Sequence, residues 1–173
     1  MPIDIKIKDY RLIGKLTNRY KNGSLFYRYA DLKGKDFICA WLHHLIINQV
    51  MAQTTFLLST DEDLILLPDY CQPNLLPRFM DIYHAGHSAP DAFFVEAALA
   101  YVKQAYKLEN GNRASKSALD VAKEQLSRAV QQPYEPELKR LYQNVTDLSQ
   151  VLGETFEQHC RILLQPVWNA THR

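Results

Sequence analysis

Asp31, Leu32 and Lys33 form a D-x-K triplet within GSLFYRYADLKGKD, the stretch from Gly23 to Asp36. An acid and a lysine two positions apart on a strand project from the same side. Such a pair can hold Mg²⁺ and orient a water for phosphodiester cleavage, provided a second carboxylate converges on the ion. The preceding strand, RLIGKL, is followed by Thr17 and Asn18, and neither is a carboxylate. Asp31 falls at or beyond the end of its own strand, and the triplet runs into the turn-like KGKD. A loop of solvated charges is the favoured reading, and an active Mg²⁺-dependent nuclease using Asp31 and Lys33 is the alternative.

Other chemistries are less well supplied. His43 and His44 are neighbours on a helical pattern, so their rings point about 100° apart, and H-E-x-x-H is absent. No metal site is therefore assigned. The chain lacks G-x-S-x-G, a Walker A sequence and G-x-G-x-x-G. Cys39 lies in the most apolar helical stretch and reads as core. The three cysteines, Cys39, Cys71 and Cys160, have no C-x-x-C spacing and read as reduced thiols of a cytoplasmic protein.

A net charge of +1 gives no global field to steer nucleic acid. Locally, Lys15, Arg19, Lys21, Arg28, Lys33 and Lys35 crowd the first strands and their turns, interleaved with Tyr10, Tyr20, Tyr27 and Tyr29. Cations meet phosphates and aromatic rings stack on bases. Arg19, Lys21, Arg28, Lys33 and Lys35 are the candidate DNA contacts. A mixed, solvated sheet face would look the same, so a protein-interaction domain without DNA contact stays open.

These residues need elements to position them. MPIDIKIKDY alternates apolar and charged residues, which predicts a half-buried strand and not a signal peptide. RLIGKL is its hairpin partner, and Asn22-Gly23 predicts a second hairpin into Ser24–Tyr29. Three antiparallel strands thus open the chain as a meander. A buried helix follows, starting near Phe37 with Asp36 as its cap. Thr54–Ser59 and LILLP then read as two further strands. The second half reads as helical, in PNLLPRFMDIYHAG, PDAFFVEAALAYVKQAYKL, SKSALDVAKEQLSRAVQQ, PYEPELKRLYQN and LGETFEQHCRILLQPVW. The fold class is α/β, or α+β by order. Residues 1–173 read as one domain, with a β-rich core over 1–70 and a helical part over 73–168. No apolar run reaches membrane-spanning length.

Several of these strings, in order, resemble the C-terminal domain of the gamma subunit (RecC) of bacterial exodeoxyribonuclease V, the RecBCD helicase–nuclease. IDIKIKDYRLIGKL is similar to the family's opening paired strands. NGSLFYRYADLKGKDFICAWLHHL, FMDIYHAGHSAPDAFFVEAALAYVK and the closing LLQPVWN are similar to its later segments. The resemblance implies a nuclease-like (restriction-endonuclease-like) fold, related to the nuclease domain of the beta subunit but without its catalytic residues. Setting Gly14 on the family's first glycine puts Thr17 in an aspartate position. Setting Gly23 on the glycine before the third strand puts Tyr29 and Asp31 in the Asp and Lys positions. Only a slide of two residues brings Asp31 and Lys33 into those places, and Thr17 still lacks a carboxylate.

The role implied is architectural: a catalytically inactive domain that guides DNA strands and docks on the beta and alpha subunits in double-strand-break repair and recombination. No cofactor is implied, and Mg²⁺ enters only with the active-nuclease alternative. The family's gamma subunit is much longer and carries helicase-like domains, so the chain reads as its C-terminal part or a stand-alone remnant. The expected location is cytoplasmic.

Overall fold

The computed structural model describes residues 1–89, 93–113, 115–132, 136–145, 147 and 150–172. The chain falls into two compact units. One comprises Met1–Pro90 with Asn169–Arg173, and the other Asp91–Trp168.

The first unit opens with strands β1 (Pro2–Ile7) and β2 (Tyr10–Lys15), paired antiparallel from Pro2↔Lys15 to Ile7↔Tyr10. Ile3 and Ile7 turn inward while the charged residues between them stay out, as period two requires. Next come β3 (Arg19–Tyr20) and β4 (Gly23–Tyr27), an antiparallel hairpin with Arg19↔Ser24 and Tyr20↔Gly23 in register. Helix α1 (Gly34–Ile47) then returns the chain to β5 (Thr55–Leu58), which lies parallel to β4 from Ser24↔Thr55 to Tyr27↔Leu58. Strand β6 (Asp63–Leu66) closes the sheet antiparallel to β5.

The first expected hairpin is present, but in the second Gly23–Tyr27 pairs with Arg19–Tyr20 and not with RLIGKL, so the strands do not form one meander. β1 and β2 make a two-stranded sheet, and β3-β4-β5-β6 make a separate four-stranded one. The break falls at Asn18, whose φ of 54° lies in the left-handed region. Asparagine tolerates that conformation better than most residues, and it turns the chain out of β2 before β3 begins.

Helix α1 begins three residues before Phe37. Asp36 sits inside its first turn, where Oδ2 accepts from the Lys33 backbone N–H at 2.9 Å. It therefore satisfies a helix-end donor from within the helix instead of preceding it. The buried face of α1 is Phe37, Ala40, Trp41, His44, Leu45 and Ile47. Cys39 is exposed, which corrects the expectation that it belongs to the core. The helix is apolar on more than one side, so composition alone does not identify its inner face, and Cys39 falls on the outer one. Near the helix C-terminus, Ile47 packs with Ile3 and Leu16 in a small apolar cluster flanked by Leu12 and Ile46.

A 3-10 turn at Pro68–Tyr70 leads to α2 (Leu75–Ser88), which ends two residues beyond the glycine expected to cap it. Gly86 has open space around it and interrupts nothing.

The second unit is helical. α3 (Val95–Glu109) packs on α4 (Ala118–Gln131), with Ala97, Ala98, Leu99, Tyr101, Val102, Ala122 and Leu126 buried. Ser117 caps α4 by accepting from the Asp120 backbone N–H at 3.1 Å. Helix α5 (Pro136–Tyr142) packs on α4, and α6 (Glu154–Leu163) on α3. Tyr101 donates its hydroxyl to Glu157 Oε2 at 2.7 Å, joining α3 to α6. The single closing helix expected over LGETFEQHCRILLQPVW is two: α6, then α7 (Gln165–Thr171). Pro166 has no backbone N–H to continue the ladder but fits the first turn of a new helix. The expected starts at Pro90 and Pro133 lie outside the described residues. No helix among the described residues is long and apolar enough to cross a membrane.

Candidate nucleic-acid interface

The β4–α1–β5 crossover positions the D-x-K triplet and the basic candidates. β4 and β5 run parallel, so α1 must run back across them: its first turn lies at the C-terminal end of β4, and its last turn at the start of β5.

At the C-terminal end, β4 stops at Tyr27, and the Arg28 N–H bonds Leu58 O at 2.9 Å. Tyr29, Asp31 and Lys33 all lie beyond the strand. Tyr29 is 96% exposed, and Asp31, Lys33 and Lys35 are exposed as well. Asp31 Oδ1 stands 3.5 Å from Thr60 Oγ1, on the β5 flank. The buried member of the triplet is Leu32, 5% exposed, whose N–H donates to Asp61 Oδ1 at 3.1 Å. The triplet is thus a loop anchored by its middle residue, with both charged side chains outward.

Acids here are committed to local bonds. Asp36 pairs with Arg28 Nη1 at 3.5 Å. Asp61 also receives the Ser59 hydroxyl at 2.6 Å, and this bond chiefly holds its carboxyl below the ordinary range. Glu62 Oε2 lies 3.2 Å from His172 Nε2. Among the described residues, no three His, Cys, Asp or Glu side chains are placed to hold one metal ion.

Thr17 lies on the other flank of β4. The Leu25 N–H bonds Asn18 O at 2.9 Å, and His43 of α1 donates from Nε2 to Thr17 O at 2.9 Å. The Phe26 ring meets His43 edge-on at 5.0 Å. Thr17 is therefore level with the middle of β4 on its β3 side, whereas Asp31 is past the strand end on its β5 side. Two strand spacings amount to about 10 Å, with a similar distance again along the strand. Carboxylates sharing Mg²⁺ each bring an oxygen to about 2.1 Å from it, and side chains on these two positions do not span the gap.

The basic candidates also separate. Arg19 and Lys21 belong to the β3–β4 hairpin, whereas Arg28, Lys33 and Lys35 belong to the opposite end. Five residues of strand separate Gly23 from Arg28, about 17 Å. Arg19 is half-buried, with Nε donating to Gln53 Oε1 at 3.1 Å, and Gln53 Nε2 in turn bonds Tyr20 O at 3.3 Å. Lys21 is exposed, and Tyr20 between them is 61% exposed.

The residues that fix this hairpin escaped the sequence reading. Asn48 donates to Gln53 O at 3.0 Å and accepts from the Gln53 N–H at 3.0 Å. His44, fully buried, lies 3.0 Å from Thr55 Oγ1 through Nδ1 and 3.2 Å from Leu67 O through Nε2. A carbonyl only accepts, so Nε2 carries the hydrogen and Nδ1 accepts from Thr55. Its ring stacks on Trp41 at 5.6 Å. Burial lowers the His44 pKa to about 4, keeping it neutral. One signal pointed here: residues 37–60 contain no Asp, Glu, Lys or Arg. In so apolar a run, His44, Asn48 and Gln53 need partners within the fold.

A family model of the RecC C-terminal domain matches residues 1–106, more than half of the chain. The chain belongs to the RecC C-terminal domain family. RecC is the gamma subunit of exodeoxyribonuclease V, so this membership ties the chain to the RecBCD complex and its other subunits. No curated protein matches the chain. The matched span of this RecC-type domain contains the whole four-stranded sheet and both ends of β4, and the helices after α3 lie outside it.

Proposed function

We propose that this RecC C-terminal domain is a catalytically inactive, nuclease-like module that guides DNA strands and helps assemble its complex in double-strand-break repair and recombination. The observation that carries the reading is the separation of Thr17 from Asp31. The two positions that resemblance and motif mark for metal-binding acids lie on opposite flanks of β4. Asp31 and Lys33 flank an anchored leucine instead of projecting from a strand. Without a second acid the D-x-K pair does not complete a hydrolytic site, and the domain requires no Mg²⁺ of its own.

Its work is then binding. Arg19, Lys21, Arg28, Lys33 and Lys35 are the cations from which phosphate contacts are drawn, and exposed apolar side chains such as Ile13, Ile65 and Tyr83 offer contact area to the beta and alpha subunits. The test uses the 173-residue chain with Mg²⁺ on single- and double-stranded DNA. Salt-dependent binding without cleavage is expected. Cleavage abolished by Lys33→Ala would overturn the inactive reading in favour of an active nuclease. Absence of any DNA affinity would overturn strand guidance in favour of a protein-interaction domain.

A further inference from the structure

We propose that the domain grips single-stranded DNA through the β3–β4 hairpin, with Lys21, Arg19 and the flanking Lys15 meeting phosphates and Tyr20 stacking on a base. This rests on the DNA-binding reading above and assigns it to one end of the sheet.

Charge decides between the two ends. From Tyr10 to Ala30 the chain carries Arg11, Lys15, Arg19, Lys21 and Arg28 and no acid. The segment packed beside the hairpin, from the end of α1 into β5, lies within the uncharged run 37–60. Among the described residues, Lys15, Arg19 and Lys21 have no carboxylate partner. Asp69, beyond β6, is three strand spacings from β3, about 14 Å, which exceeds the screening length of about 8 Å at physiological salt. Nearby, Asp4 is already bonded to Arg11 at 2.6 Å. The carbonyl end of α1 adds about half a negative charge, against three whole positive ones.

The D-x-K end is different. Arg28 is paired with Asp36, Asp31 lies two residues before Lys33, and Asp61, Glu62 and Asp63 lie between β5 and the start of β6. A phosphate approaching Lys33 or Lys35 meets carboxylates on both neighbouring segments. Tyr27 and Tyr29 are exposed there too, at 79% and 96%, but a stacking ring binds a charged strand only where cations accompany it.

The hairpin is also held from within the fold. Gln53 is tied by Asn48 and holds both the Arg19 guanidinium and the Tyr20 carbonyl. Tyr20 therefore presents its exposed ring from a backbone held by Gln53, with Arg19 and Lys21 as its neighbours along the chain. A single strand suits this arrangement because its bases are free to leave the stack, whereas a duplex offers its phosphates but keeps its bases paired.

The test is fluorescence anisotropy of a labelled oligothymidylate, and of a duplex of equal length, titrated with the 173-residue chain at several salt concentrations. Lys15→Gln with Lys21→Gln should lower the slope of log affinity against log salt by about 1.4, at about 0.7 per phosphate contact. Tyr20→Ala should weaken oligothymidylate binding at least about five-fold and duplex binding little, and Tyr20→Phe should restore it. Arg19 is left intact because it braces the fold, and unchanged urea midpoints confirm that the variants fold. If Lys33→Gln with Lys35→Gln removes the slope instead, or Tyr20→Ala binds like the parent, the hairpin assignment is overturned while DNA binding itself stands. If the parent chain binds neither probe, both readings fail together.

Discussion

His43 Nε2 donates to the carbonyl oxygen of Thr17 across 2.9 Å, tying the loop between β2 and β3 to the middle of α1. The bond uses the backbone of Thr17, so it does not depend on which side chain stands there. Thr17→Asp should fold, because the position is exposed. It should also remain inactive, because the new carboxylate sits on the β3 flank, far from Asp31. A Mg²⁺-dependent cleavage assay on single- and double-stranded DNA should give no product above the parent chain. Appearance of metal-dependent product would mean that the two flanks of β4 come together in solution.

His44 should make stability depend on pH. Its folded pKa is about 4, against an ordinary value of 6.5. Below pH 6.5 the unfolded chain takes up a proton that the folded chain refuses. The contribution is therefore complete above the ordinary value and is lost as pH falls toward the folded one. At 1.36 kcal/mol per unit, about 3 kcal/mol is at stake. Urea midpoints at about pH 7.5 and about pH 5 should differ by the part lost over that interval, about 2 kcal/mol. The difference should shrink in His44→Gln, which has no proton to gain. A parent chain with equal midpoints would contradict a buried neutral imidazole.

Gly23 should tolerate no side chain. Its φ is 154°, and a Cβ there would lie 2.7 Å from the Phe56 ring and 2.8 Å from the Thr54 carbonyl oxygen. The ring can shift, but the carbonyl is fixed because it accepts the Ser24 N–H at 2.9 Å. Gly23→Ala should cost about 1–3 kcal/mol and loosen the hairpin. Chemical denaturation measures the first effect. Amide exchange at Ser24 and Leu25 should rise even where the fold persists. Gly111→Ala provides the comparison, since its positive φ sits in open space.

Several of these features were legible in the residues themselves. Period two in IDIKIK located the first hairpin and Asn22-Gly23 the turn of the second, though not its partner strand, and the helical spacings located α1 through α6. The position of Asp31 outside its strand followed from counting residues after Tyr29. The break between two sheets at Asn18 was not legible, because a left-handed residue leaves no trace in hydrophobic periodicity. Nor was the parallel pairing of β4 with β5, which depends on α1 spanning the sheet and not on either strand's pattern. The basic residues formed one cluster along the chain because sequence distance ignores the length of β4. In space that strand divides them. His44 was weighed only as a metal ligand, although an uncharged run of that length already implied internal partners for it.

The crossover has a consequence for how the interface comes into being. β1 and β2 meet through a turn of two residues, so their pairing closes a short loop. β4 meets β5 only by bringing residue 24 to residue 55, and that closure waits on α1. Non-local pairing of this kind is slow to form and is entered only after local structure exists. The Asn48–Gln53 clasp that steadies Arg19 and Tyr20 lies at the very end of the crossover. A chain emerging from synthesis would carry its cations early but present them in a fixed array only after β5 has docked, so the strand grip proposed above would mature last.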